Sequence, residues 1–277
     1  MLVVLLAVCG WARADVADVA RQAELSLVAT GWVEVDTGGG VAAYGLDKPE
    51  QLPIAVTELA ARKIPQWTFA PPATVGENGR MRAKMSVRFA AKALAGGQYA
   101  LRIAGSSFNT LELDEMPRLQ AQPRAPRFPA MAAKAGVSGT VFVVFRITRD
   151  GVVEPAVEQV NLRLLSDEAL LAAFRELFTE ASLEAARDWK FRPPERGPEK
   201  DQQAWYVRVP IEFVRIGRKP YGYGEWQAYV PGPRMHLPWS EAGAQDTVTA
   251  PDATPDGGMQ PLKEPLRLLA TPDDAQA

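Results

Sequence analysis

The phrase Trp-x-Phe-x-Pro-Pro occurs twice in this chain, as WTFAPP from Trp67 to Pro72 and as WKFRPP from Trp189 to Pro194. Each follows a stretch of helical character, ELAARKIPQ before the first and SLEAARD before the second. Each precedes an alternating apolar strand that ends in Phe, RMRAKMSVRF to Phe89 and WYVRVPIEF to Phe213. Upstream in both stands a Gly-led apolar strand with a Gly turn: GWVEV then Gly38-Gly39-Gly40, and GTVFVVFRITRDG from Gly139 to Gly151. The two Trp residues are 122 apart (189 − 67) and the two Phe residues 124 apart (213 − 89). Shared order at a near-constant offset predicts two copies of one structural unit, the first of them degenerate. Such a repeat constrains the fold before any local propensity does.

A chain of 277 residues, 47% hydrophobic and 23% charged, can build two domains with separate cores. Its net charge of −2 lacks the Lys and Arg surplus that nucleic-acid binding needs. Residues 1–14 stand apart. Leu2 to Val8 is an unbroken apolar run, and Ala12-Arg13-Ala14 fits the small-x-small rule for signal-peptide cleavage, with Asp15 as the mature start. The run is shorter than the roughly 20 residues that a membrane-spanning helix requires. Cys9, the only cysteine, lies inside this segment. Cleavage leaves no thiol for a disulfide, a nucleophile or a thiolate metal site. Lipid attachment at Cys9 is the less favoured reading, since Val8 fits poorly before a lipidated cysteine.

The expected organisation is therefore a signal peptide (1–14), a degenerate first unit (15–116), a Pro-rich linker (117–129), a clear second unit (130–235) and an extended or disordered tail (236–277). The linker carries Pro117, Pro123, Pro126 and Pro129, which resist regular structure. In the second unit, Asp150-Gly151 marks a hairpin turn. Ser166 is the expected N-cap of a helix whose apolar stripe is Leu170, Phe174, Leu177, Phe178 and Ala181. From about Thr247 the chain is polar, acidic and Pro-rich, too poor in apolar residues to offset its ordering entropy.

Enzymatic chemistry finds no footing. His236 is the only histidine, with no cysteine or second histidine to share a metal. Asp114-Glu115 and Asp167-Glu168 are adjacent carboxylates that read as a solvated loop and a helix start. The glycine clusters lack the ending of a phosphate loop. No cofactor or metal is expected. The segment with physical content for binding is Trp205 to Val214. Trp205, Val207, Val209, Ile211 and Phe213 form its apolar face, while Tyr206, Arg208 and Glu212 point the other way. Pro210 removes a ladder donor, which places this strand at a sheet edge or at a bulge. An edge exposes amides and carbonyls to which an extended peptide can add. Trp205, Tyr206, Val207, Arg208, Val209 and Glu212 are the candidate peptide-binding residues. A further strand at residues 226–230 could instead close that edge.

Several spaced motifs in the second unit closely resemble the C-terminal domain of TonB-type energy transducers. They are Pro126-Arg127-Phe128-Pro129, the G-x-V-x-V-x-F strand with its D-G turn from Gly139 to Gly151, the Ala-rich helix ending W-x-F-x-P from Ala181 to Pro193, and the strand Val207 to Phe213. The resemblance covers roughly residues 126–214. It implies an α+β fold: two TonB C-terminal-like units, each a small antiparallel sheet with helices on one face. It also implies a Gram-negative periplasmic location and pairing of the last strand with an extended receptor peptide, the TonB box. Envelope proteins, outer-membrane receptor peptides and motor subunits are the implied partners. The alternative is a structural or assembly protein of the envelope, without energy transduction, whose sheets pair with each other or in a homodimer.

Overall fold

The computed structural model describes residues 19–20, 22–215, 217–239, 250–255, 257–264 and 266–270. The expected signal peptide and Cys9 lie outside these. In the first unit β1 (Glu24–Asp36) turns into β2 (Val41–Leu46), followed by helix α1 (Ile54–Lys63), the short strand β3 (Thr68–Phe69), and the long hairpin β4 (Arg80–Ala93) and β5 (Tyr99–Asn109). Of the triple glycine only Gly39 has positive φ, at 90°. Its carbonyl accepts from the Phe69 amide at 2.8 Å, so the turn also positions β3. Alternate residues of β1 (Leu27, Ala29, Val33, Val35) and β4 (Ala83, Met85, Val87, Phe89) pack against Val56, Leu59 and Ala60 of α1. Each large apolar side chain so buried contributes about 1.5–3 kcal/mol.

The linker supplies β6 (Arg118–Leu119). The second unit follows as helix α2 (Ala130–Ala135), the hairpin β7 (Gly139–Thr148) and β8 (Val153–Leu162), helix α3 (Glu168–Ala186), the short β9 (Phe191–Arg192) and the strand β10 (Ala204–Phe213). Val141, Val143, Phe145 and Ile147 of β7 meet Phe174 and Phe178 of α3 in a second core. Asp167, not Ser166, caps α3: its carboxylate accepts from the Leu170 amide at 2.8 Å. This start turns Leu171, Phe174, Phe178 and Ala185 inward and leaves Leu170 43% exposed.

Part of the element order recurs in the two units. The sheets run β2-β1-β4-β5 and β8-β7-β10, each followed from the hairpin by a helix and a Trp-x-Phe strand. Gly31 pairs with Leu46 and with Met85, as Gly139 pairs with Leu162 and with Phe213. With each leading glycine as origin, the counterpart of Phe213 is Met85. Phe89, the counterpart expected from the sequence, lies further along and pairs with Leu27. Trp67 (2% exposed) makes edge contacts with Phe69 and Phe108, while Trp189 (6%) stacks on Phe145 at 5.1 Å.

The units are laced together by segments that cross between them. Linker strand β6 pairs with β9 of the second unit. Beyond β10, strand β11 (Gln227–Tyr229) returns to β1 of the first sheet. Three further tail segments are ordered. Residues Pro251–Ala253 form a 3-10 turn against β4 and β5, β12 (Gln260–Pro261) pairs with β10, and β13 (Leu268–Ala270) pairs with β3. The expectation of an extended or disordered tail fails for these residues. Its few apolar side chains are spaced to reach existing cores: Leu266 and Leu268 enter the first, and Leu262 packs on Val144 and Leu237 behind the second sheet. Polar contacts tie the tail down as well. Ser86 donates to the Ala253 carbonyl at 2.7 Å, and buried Arg88 pairs with Asp252 at 3.2 Å and with Glu24 at 2.9 Å. Among the described residues no helix is long and apolar enough to cross a membrane.

Candidate peptide-binding edge

Strand β10 pairs with β7 along its whole length, Ala204 with Thr148 through Phe213 with Gly139. Its other side is where an added strand would lie. Main-chain groups alternate sides along a strand, and the Leu262 amide donates to the Tyr206 carbonyl at 2.9 Å. The outward-facing positions are therefore Tyr206, Arg208, Pro210 and Glu212. Pro210 thus costs the β7 ladder nothing and takes one donor from the outer edge. The sequence expectation is a strand at a sheet edge or at a bulge; β10 instead runs without a bulge against β7 and takes β12 on its other side over two residues. The strand that meets this edge is β12 and not residues 226–230, because β11 is drawn to the first sheet.

Of the candidate residues, Trp205 and Val207 belong to the second core, with Val209 packed partly against it. The Trp205 indole donates to the Glu199 carbonyl at 2.9 Å. These side chains hold the strand, and only its main chain is offered to a partner. The other face departs from the expectation that Tyr206, Arg208 and Glu212 flank a peptide from the solvent side. Arg208 is 1% exposed, with its guanidinium bonded twice to Glu158 of β8 at 2.6 and 3.0 Å. Tyr206 lies beside Trp239, ring centroids 6.1 Å apart. Glu212 pairs at 3.0 Å with Arg163, which also donates to Gln227 at 2.6 Å. The physical reason is that the second sheet has both faces covered, by helices on one and by the tail and β11 segment on the other.

Sequence reasoning missed Glu158, Gln260, Leu262 and Glu264. The only signal available was the isolated leucines at 262, 266, 268 and 269 in an otherwise polar tail. Glu264 sits behind β12, where its carboxylate accepts from the Ser107 hydroxyl at 2.6 Å and the Phe108 amide at 3.0 Å, both on β5. Burial pushes its carboxyl up to about 7, against the opposing pull of Ser107, the Phe108 amide and the Arg208 charge. Beside the edge a cleft of about 250 Å³ opens between Trp205, Tyr206, Leu262, Met116 and Leu111. Among the described residues no group of three His, Cys, Asp or Glu could hold a metal.

The family model for the Gram-negative bacterial TonB protein C-terminal matches residues 124–214. Comparison with curated proteins and with solved structures gives no match. The matched stretch runs from the Pro-Arg-Phe-Pro segment through α2, β7, β8, α3 and β9 to the end of β10. The first unit, the β11 segment and the tail lie outside it. Residues 124–214 are thus a domain of the TonB C-terminal family, and the candidate edge is that domain's last strand.

Proposed function

We propose that this chain is a periplasmic TonB-like interaction module whose strand β10 takes up an extended peptide of an envelope or outer-membrane transport protein by strand addition. One observation carries the reading: the strand that ends the family match is covered on its outer side by only two paired residues, Val207 with Pro261 and Arg208 with Gln260. Main-chain hydrogen bonds supply most of the affinity in this mode, so sequence selectivity is loose. The contacting main-chain groups are those of Tyr206 and Arg208, with Glu212 beyond Pro210, while Trp205, Val207 and Val209 turn their main chain to β7 and hold the strand in place. The cleft beside Trp205 and Tyr206 would receive a side chain. Neither catalysis nor a cofactor has a part in this function.

The test is NMR titration of the isotope-labelled chain with a synthetic TonB-box peptide, against a scrambled peptide of the same composition. Amide shifts should concentrate on residues 204–213. Shifts confined to another strand, or equal shifts with the scrambled peptide, sink the reading.

A second reading is favoured by a different observation. Strand β5 ends its sheet, with β4 as its strand partner among the described residues, and Tyr99 at its start is 58% exposed. Apart from the Phe108 amide, which the Glu264 carboxylate takes, an edge of this kind suits an assembly protein that pairs first units edge to edge in a homodimer. Sedimentation equilibrium decides: a monomer at 100-fold dilution steps through the micromolar range removes this alternative.

A further inference from the structure

The tail meets β10 as a ligand would. Gln260 and Leu262 stand at the positions whose main chain faces Arg208 and Tyr206, while Pro261 falls opposite Val207 at the intervening position, where no ladder donor is needed. A proline-containing segment therefore pairs here without losing a bond. Leu262 fills the apolar site made by Val144 and Leu237, and Lys263 reaches Glu199 at 3.1 Å. Beyond them Glu264 anchors on Ser107 and Phe108 of the first unit. The grip is nonetheless short. Strand β5 closes the corresponding edge of the first unit along ten residue pairs, whereas β12 engages two. Gly257 and Gly258 precede it, and Gly257 has φ of 71°, so the approach can rearrange at low cost.

We propose that residues 259–264 are a built-in competitor: an internal strand that keeps the edge of β10 closed until an extended peptide displaces it. The inference rests on the strand-addition reading of β10 and adds its regulation. Being tethered, the segment competes at a high effective concentration. A partner must outbid it, and short or poorly matched peptides are excluded. The segment also shields main-chain groups of an edge that would otherwise invite unspecific pairing.

The experiment locks and loosens the strap in the full chain. In a Cys9→Ser background, Val207→Cys with Pro261→Cys places a cysteine pair at directly opposed strand positions, a geometry that a disulfide can bridge. The probe is a fluorescent synthetic copy of residues 257–264, read by anisotropy. The oxidised chain should bind it at least about tenfold more weakly than the same chain after reduction. Gln260→Pro, which removes the amide facing Arg208, should bind it about tenfold more tightly than the parent chain. Equal binding by oxidised and reduced chains, or no binding by the Gln260→Pro chain with its circular dichroism unchanged, overturns the inference. A TonB-box peptide titrated alongside separates the two readings. If the tail copy binds in the lock-dependent way and the TonB-box peptide does not, the competitor stands and the receptor reading falls. If the TonB-box peptide shifts β10 amides equally in the oxidised and reduced chains, the receptor reading stands and the competitor falls.

Discussion

The two units differ most at the same place. In the first, the strand after the Trp-x-Phe segment, β4, is flanked by an eleven-residue hairpin partner, β5, that belongs to the unit itself. In the second, β10 has no such partner of its own, and the chain supplies two residues of β12 from far downstream. One edge is closed by local folding and the other by a long-range loan. Local closure carries a small loop entropy and many ladder bonds, so it is permanent. Closure by a distant short segment is the arrangement that can open. The family match falls on the unit with the openable edge and stops short of the other. The hairpin, helix and returning strand recur in both, and what differs is the cover of one strand.

The largest expected effect tests whether the two Trp-x-Phe cores are equivalent. Trp189→Ala removes a ring stacked on Phe145 whose indole donates to the Arg124 carbonyl at 3.3 Å, and should destabilise the chain by about 3–5 kcal/mol in chemical denaturation. Trp67→Ala should cost a similar amount from its contacts with Phe69 and Phe108. An effect below about 0.5 kcal/mol at either site would show that ring to be dispensable and would break the parallel.

The next test concerns the face of β10 that the tail covers. Glu158→Ala leaves the Arg208 guanidinium buried without its carboxylate and should cost about 3 kcal/mol. The double change Glu158→Leu with Arg208→Met should recover most of that loss, because it removes both desolvated charges together. If the double variant is no better than the single one, the pair is not isolated from solvent and the tail does not seal this face. Proline at Arg208 is a poor probe of the edge for the same reason, since it also removes the ion pair.

How much of this was legible in the sequence follows from range. The Asp150-Gly151 hairpin, the Trp-x-Phe junctions and the inward residues of β10 are set by short periodicities and turn residues and read correctly, whereas the sequence places the apolar stripe of α3 one residue off at its start, with Leu170 for Leu171. Asp167 is legible as a helix-start carboxylate, but the cap falls on it and not on Ser166, the residue the sequence favours. The destinations of β6, β11, β12 and β13 were not legible. Each has two or three residues, below any periodicity, and each finds its partner across more than 50 residues of chain, as Gln260 does with Arg208. Compositional reasoning assigned the tail to disorder because it weighs average hydrophobicity. Leu262, Leu266 and Leu268 dock individually onto surfaces that the units have already built, so the average misleads. The candidate edge itself was legible from Pro210 and the alternating apolar residues, but its cover was not.

A smaller effect separates the tail-covered edge from the locally closed one by pH. Glu264 has a folded pKa of about 7, above the 4.5 of the free carboxyl, so folding favours its protonated form. Below about pH 4.5 the group is neutral in both states and imposes no penalty. Between about 4.5 and 7 the unfolded chain ionises first, and the docked state loses up to about 3 kcal/mol relative to its acid value. Ser107, the Phe108 amide and Arg208 are the groups that face the charge once it forms. Glu264→Gln should flatten this part of the stability–pH curve while keeping the Ser107 and Phe108 contacts. If the slope survives in Glu264→Gln, another group sets it and Glu264 is not the tail's pH-sensitive anchor.

The smallest effect compares the helices. Helix α3 carries a side-chain cap, with the Asp167 carboxylate on the Leu170 amide, whereas α1 begins at Pro53 with no side-chain cap bond. Asp167→Ala should therefore cost about 1 kcal/mol, and Pro53→Ala should cost less than half of that, since no cap bond is lost. The helices differ in length as well, 19 residues against 10, and the longer one supplies Leu171, Phe174 and Phe178 to the second core. If the cap acts only on the helix end, Asp167→Ala will raise hydrogen exchange in the first turn of α3 and leave β10 unchanged. If exchange at β10 rises too, α3 and β10 open as one unit. The edge would then be regulated from the helix side as well as from the tail.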